Sequence, residues 1–154
     1  MRWGPVWPAP YTPDMTVRAS WSGKGFRFDL SDGRGHDAIA DEGEPLGRDE
    51  GITPPDLLLA ALCACTGITA VSLLQKMKQP LRSLAVKAEG DRQPEWPKAF
   101  TEIRLVYEIS GTGAFDEALV RKATELATHR YCAVGGTIEL GQGGCRILFE
   151  HRIS

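Results

Sequence analysis

An excess of charge of either sign is what this chain lacks: 18 lysines and arginines stand against 20 aspartates and glutamates, a formal net charge of -2. No dense Lys/Arg run offsets that balance, so nothing pulls the chain towards nucleic acid and no such partner is expected. Cysteine is scarce, with four irregularly spaced in 154 residues, which excludes a disulfide scaffold. No glycine-rich stretch follows a strand and opens a helix, so phosphate or dinucleotide binding is unsupported; GQGGC at 141–145 precedes a strand instead. No charged-then-apolar segment with a cleavage site opens the sequence, and the expected compartment is the cytoplasm, where a dithiol can cycle. The length suits one domain with a sizeable core.

What the chain does have is one long apolar stretch, GITPPDLLLAALCACTGITAVSLLQKM, from Gly51 to Met77. Thr53 as N-cap, Pro54 at the first helical position and Asp56 closing a capping box predict a helix that begins at 53 or 54. Leu57, Leu58, Leu59, Leu62, Ile68, Val71, Leu73 and Leu74 cover most of its circumference, which predicts burial on all sides, at the centre of the domain or in a subunit interface. Ala60, Ala61, Ala64 and Gly67 are small patches where another backbone can come close. A membrane span is the competing reading. Asp56, Thr66, Thr69 and Ser72 interrupt the apolar run and Gln75, Lys76 and Lys78 end it, so no membrane partner is expected.

Around this helix the pattern reads β-β-β-α-β-β-α-β, an α+β fold without repeats or doubly wound alternation. Residues 1–14 hold four prolines and two tryptophans without any period, an extended or disordered arm before a single domain over 15–154. Strands are expected at 16–21, 26–30 and 38–40, with an acidic loop over 41–50. His36 reads as solvated beside Asp37. Further strands are expected at 84–89 and 100–109, the second irregular near Thr101 where the alternation slips. A second helix follows over 116–131, with Cys132 at or just past its end. Cys145, Ile147 and Phe149 then share one face of a last strand, so Cys145 reads as core.

Cys63 and Cys65 lie two apart on the first helix, separated by roughly 200° of rotation, and can neither share a ligand nor join each other. A metal site from Cys63, Cys65, His129 and Cys132 therefore has too few soft ligands. His129 is a candidate proton donor, though a histidine in a last helical turn also simply favours the helix dipole.

The run PPDLLLAALCACT from Pro54 to Thr66, with a cysteine eleven positions beyond its proline, and HRYCAV around Cys132 resemble a known pair of motifs. They belong to the family that includes the organic hydroperoxide resistance protein and osmotically inducible protein C. The resemblance spans roughly Met15 to Ile153, and its usual proline after the second cysteine is here Ala133. It implies an intertwined homodimer with its sites at the subunit interface. It also implies a peroxidase in which Cys65 attacks the O–O bond of an organic hydroperoxide and Cys132 condenses with the resulting sulfenic acid. An external dithiol such as a lipoyl group would reduce the disulfide, and no bound cofactor is expected. The expected apolar lining of Leu58, Leu62 and Ile68 suits an organic hydroperoxide better than hydrogen peroxide.

Cys65 sits about three turns into its helix, beyond the reach of the N-terminal dipole, so burial alone would disarm it and a cation is required. In members resembling this chain an arginine of the first hairpin supplies that charge, with an acidic partner just after the motif proline. Here the hairpin reads SGKGFR, leaving Lys24 or Arg27 for the role, and the residue after Pro54 is Pro55; such departures mark a divergent branch. Asp56 lies roughly 180° round the helix from Cys65 and reads as a cap. The alternative is a dimeric domain of the same fold that binds a small lipophilic molecule without turnover.

Overall fold

A computed structural model describes residues 15–141 and 145–154; the arm expected over 1–14 lies outside them. The chain divides into two compact units, one up to Pro54 and one from Pro55 to Ser154.

The first unit is an antiparallel sheet of β1 (Arg18–Trp21), β2 (Phe28–Ser31) and β3 (Asp37–Ala40), in that order. Its turns contain Gly23 at φ 82° and Gly33 at φ 71°, backbone that side chains with a Cβ rarely adopt. The acidic loop that follows is organised by Asp41. This side chain is almost fully buried and accepts from the amides of Glu42, Arg48 and Glu50. Burial pushes its carboxyl up, but those three amides together pull it below the ordinary range. His36 is not merely solvated beside Asp37: its Nδ1 lies 2.8 Å from Asp32, whose carboxyl is held well below the usual range by His36 and by the Arg34 amide.

The second unit is built on α1 (Pro54–Lys76), which starts where the proline signal placed it, and on a sheet of β4 (Leu81–Arg92), β5 (Phe100–Gly111) and β6 (Arg146–Ile153). β4 and β5 pair antiparallel, and Thr101 is the residue skipped where Asp91↔Glu102 gives way to Arg92↔Phe100, the irregularity that the slipped alternation signalled. β4 extends beyond the expected 84–89 at both ends, because a long hairpin partner continues the ladder past its apolar residues. β5 and β6 run parallel, connected by α2 (Glu117–His129) and by a helix the sequence did not suggest, α3 (Ala133–Leu140). The element order is therefore β-β-β-α-β-β-α-α-β.

Ile103, Leu105, Tyr107 and Ile109 alternate along β5 onto the face that meets Leu62, Ala70 and Leu74 of α1 and Val120, Ala123 and Ala127 of α2. Asp116 caps α2, accepting from the amides of Ala118 and Leu119. Cys145 and Ile147 complete the core from the β6 side, as their alternation implied.

Burial of α1 on all sides is not met within one chain. Leu62, Thr66, Gly67, Ala70 and Leu74 are buried, whereas Ile68 is 73% exposed and Ala60, Ala61 and Ala64 are open. Of the small residues only Gly67 serves close approach; a Cβ there would stand 3.3 Å from Val86 Cγ2. By length and composition α1 could cross a membrane, yet its buried face packs into the apolar cluster with the sheet and α2.

Candidate active site

Cys65 and Cys132 come together although 67 positions separate them in sequence. Their side chains are within hydrogen-bonding reach of one another. Each is positioned by a different local device. Cys65 is carried on α1, where its carbonyl accepts from Thr69 Oγ1 at 3.0 Å and that of Leu62 accepts from Thr66 Oγ1 at 2.9 Å. Cys132 stands in extended backbone just after α2 and is the N-cap of α3, its Sγ accepting from the Gly135 amide at 3.1 Å.

That cap explains a helix hidden in the sequence. Ala133-Val134-Gly135-Gly136 reads as a turn, since a glycine inside a helix costs about 1 kcal/mol relative to alanine. Gly135 nonetheless sits in a tight spot: a Cβ there would stand 3.2 Å from the Thr128 carbonyl oxygen and 3.5 Å from the Cys132 sulfur. The signal available in the sequence was a small polarisable side chain immediately ahead of an eight-residue segment ending in Thr137-Ile138-Glu139-Leu140.

Cys132 is 5% exposed. Burial first, and then its hydrogen bond to Cys65, push its thiol up to about 11, against the Gly135 and Val134 amides, which favour the thiolate. At neutral pH Cys132 is therefore a thiol.

Cys63 turns away, as the helix geometry required. It lines a different groove, of about 710 Å³, between Ala60, Gly67 and Val71 of α1 and Leu84 and Val86 of β4, and burial raises its pKa. His129 has a structural partner, Glu139 of α3 at 3.1 Å, and packs edge-on against the Phe149 ring. The three residues expected to line one apolar cleft do not do so within a single chain: Leu62 is fully buried, while Leu58 and Ile68 are exposed on the outer side of α1. Among the described residues no group of three or more His, Cys, Asp and Glu side chains converges as metal ligands would.

The two candidate cations belong to the first unit. Arg27 is held by Asp29 at 2.9 Å and by Glu50 at 3.2 Å, and these hydrogen bonds raise its pKa further. Lys24 contributes its carbonyl to a bond from Ser22 Oγ, and among the described residues no carboxylate lies within ion-pair distance of its ammonium.

A helix-and-sheet unit with a thiol from the central helix facing a thiol at the cap of a later helix defines a class of protein, the OsmC-like proteins. The model of that family, described as OsmC-like protein, matches residues 47–142. Protein YhfA of Escherichia coli K12 is 31% identical over 125 residues, covering 81% of this chain and 90% of the relative. Among solved structures, the OsmC-like protein of Mycoplasma pneumoniae superposes with a TM-score of 0.76 at 17% identity, over 93% of this chain and 99% of that one. An organic hydroperoxide resistance protein OsmC of Legionella pneumophila gives 0.59 at 21% identity, over 94% and 98%. The chain belongs to the OsmC family, with the α+β fold of that family.

Proposed function

We propose that the protein is a homodimeric, cysteine-based peroxidase that reduces organic hydroperoxides in the cytoplasm. The observation that supports this reading is the approach of Cys65 and Cys132 to within hydrogen-bonding reach of one another, with Cys132 held as a thiol by burial and by its neighbour. Cys65 attacks the distal oxygen of the O–O bond; the peroxide becomes an alcohol and Cys65 a sulfenic acid. The Cys132 sulfur then displaces the sulfenic oxygen, which departs as water with the Cys132 proton. A dithiol such as a lipoyl group restores both thiols by exchange and leaves as its own disulfide. The printed description of the Legionella relative as a hydroperoxide resistance protein supports the choice of substrate.

In this reading the nucleophile needs a positive charge beside it, and Arg27 and Lys24 are the candidates for that role. Glu50 and Asp29 orient Arg27, which provides the carboxylate partner that Pro55 lacks. Association of two chains accounts for the open apolar residues of both units, among them Trp21, Phe28, Leu58 and Ile68. A second reading, lipophilic binding without turnover, is favoured by the groove beside Cys63 and by the fact that Arg27 is already paired with two carboxylates.

Peroxide-dependent consumption of dithiothreitol or reduced lipoamide, measured with cumene hydroperoxide, separates the two. The catalytic reading expects turnover by the native protein, none by Cys65→Ser, and a dimedone adduct on Cys65 in Cys132→Ser. Equal background rates for native protein and Cys65→Ser leave only the binding reading.

A further inference from the structure

Among the described residues Tyr107 is the largest fully buried side chain, and its hydroxyl sits where a phenylalanine ring would avoid the cost of burying a polar group. That hydroxyl lies 2.9 Å from Thr128 Oγ1. Thr128 gives its own proton to the Thr124 carbonyl at 2.8 Å, so the tyrosine is the donor between them. The Thr66 hydroxyl and the Cys132 and Cys63 thiols also lie close enough to act on the phenol. Thr66 is the residue after Cys65. Thr128 is four before Cys132, and its carbonyl presses on the Gly135 position beside the Cys132 sulfur. One phenol on β5 is therefore bonded to the α2 end that presents one sulfur and lies near the α1 turn that carries the other.

We propose that Tyr107 is a positioning residue for closure of the Cys65–Cys132 disulfide, its bond to Thr128 holding the Cys132 cap in line with the Cys65 sulfur. The role rests on the dithiol reading above. In the step it serves, an S–S bond forms as the S–O bond of the Cys65 sulfenic acid breaks, and the oxygen leaves as water with the Cys132 proton; the oxidant is the organic hydroperoxide. Tyr107 exchanges no proton in this step. Removing its hydroxyl lets the end of α2 drift and lengthens the life of the sulfenic acid.

The test is rapid quenching of the reduced protein after a single addition of cumene hydroperoxide, with dimedone and iodoacetamide labelling read by mass spectrometry. In Tyr107→Phe, closure of the disulfide is expected to slow about fivefold, the worth of one net hydrogen bond, with sulfenic acid accumulating and its formation rate within about twofold of native. Thr128→Val should reproduce this and add little when combined with Tyr107→Phe, whereas Thr128→Ser, which keeps the hydroxyl, should close at the native rate. Unchanged closure in Tyr107→Phe, or equal slowing of both steps, overturns the proposal. If Tyr107→Phe does not fold, the contrast between Thr128→Val and Thr128→Ser decides by the same criteria. If the native protein forms no sulfenic acid, the dithiol reading fails instead, a result distinct from a native protein that closes its disulfide independently of Tyr107.

Discussion

Two thiols on one helix, two residues apart, meet opposite surroundings. Cys63 faces β4 across an apolar groove, and the groups that act on its titration are its own burial and its own backbone. Cys65 faces a second sulfur that is capped by a helix amide. Their helix is the same, so the contrast arises from what the rest of the chain folds against each side. What each thiol faces is a property of the second element, not of the cysteine's neighbours in sequence.

The sharpest way to break this contrast is substitution. Cys65→Ser should lower hydroperoxide-dependent dithiol oxidation by roughly two orders of magnitude or more, as loss of a nucleophile does, while Cys63→Ser stays within about twofold. A comparable loss in both variants would erase the distinction between the two sides. Next in size is the cap. Gly135→Val places a branched side chain against the Thr128 carbonyl and the Cys132 sulfur, and should destabilise the protein by about 1–3 kcal/mol in urea unfolding. An unchanged unfolding midpoint would mean that α3 moves aside freely.

A third prediction concerns pH. Since burial and Cys65 raise the Cys132 thiol to about 11, alkylation of Cys132 by iodoacetamide should keep accelerating up to that pH. In Cys65→Ala the midpoint should move down, because the hydrogen bond and the charge that opposed ionisation are gone. A plateau near the ordinary thiol range in the native protein would contradict the pairing. The smallest effect belongs to the Cys63 side. Gly67→Ala gains helix propensity of about 1 kcal/mol and meets Val86 Cγ2 at 3.3 Å, so the two should nearly cancel and leave the melting temperature within a few degrees. A large loss there would show the α1–β4 contact to be as unyielding as the α3 cap.

Much of this was legible in the residues. The start of α1 at Pro54, the slip at Thr101 and the inward Cys145 and Ile147 each follow from a local preference or a strict period. The opposed directions of Cys63 and Cys65 follow from helix geometry alone. The α3 helix was not legible, because its two glycines read as a turn and its cap is a sulfur, a weak acceptor that sequence patterns do not count among capping groups. The role of Asp41 was also hidden, since an acid in an acidic loop gives no sign that three amides will close around it. Neither did His129 and His36 disclose their partners, Glu139 and Asp32, which only chain reversals bring near.

By itself the sequence determined most of the elements, the faces of the strands and the opposed directions of the two cysteines, since those depend on dihedral preference and periodicity within a few turns. Tertiary structure decided which thiol gains a partner, what keeps that partner protonated, and how a tyrosine hydroxyl came to lie among them. These are matters of distance between segments far apart in the chain, and only packing fixes such distances.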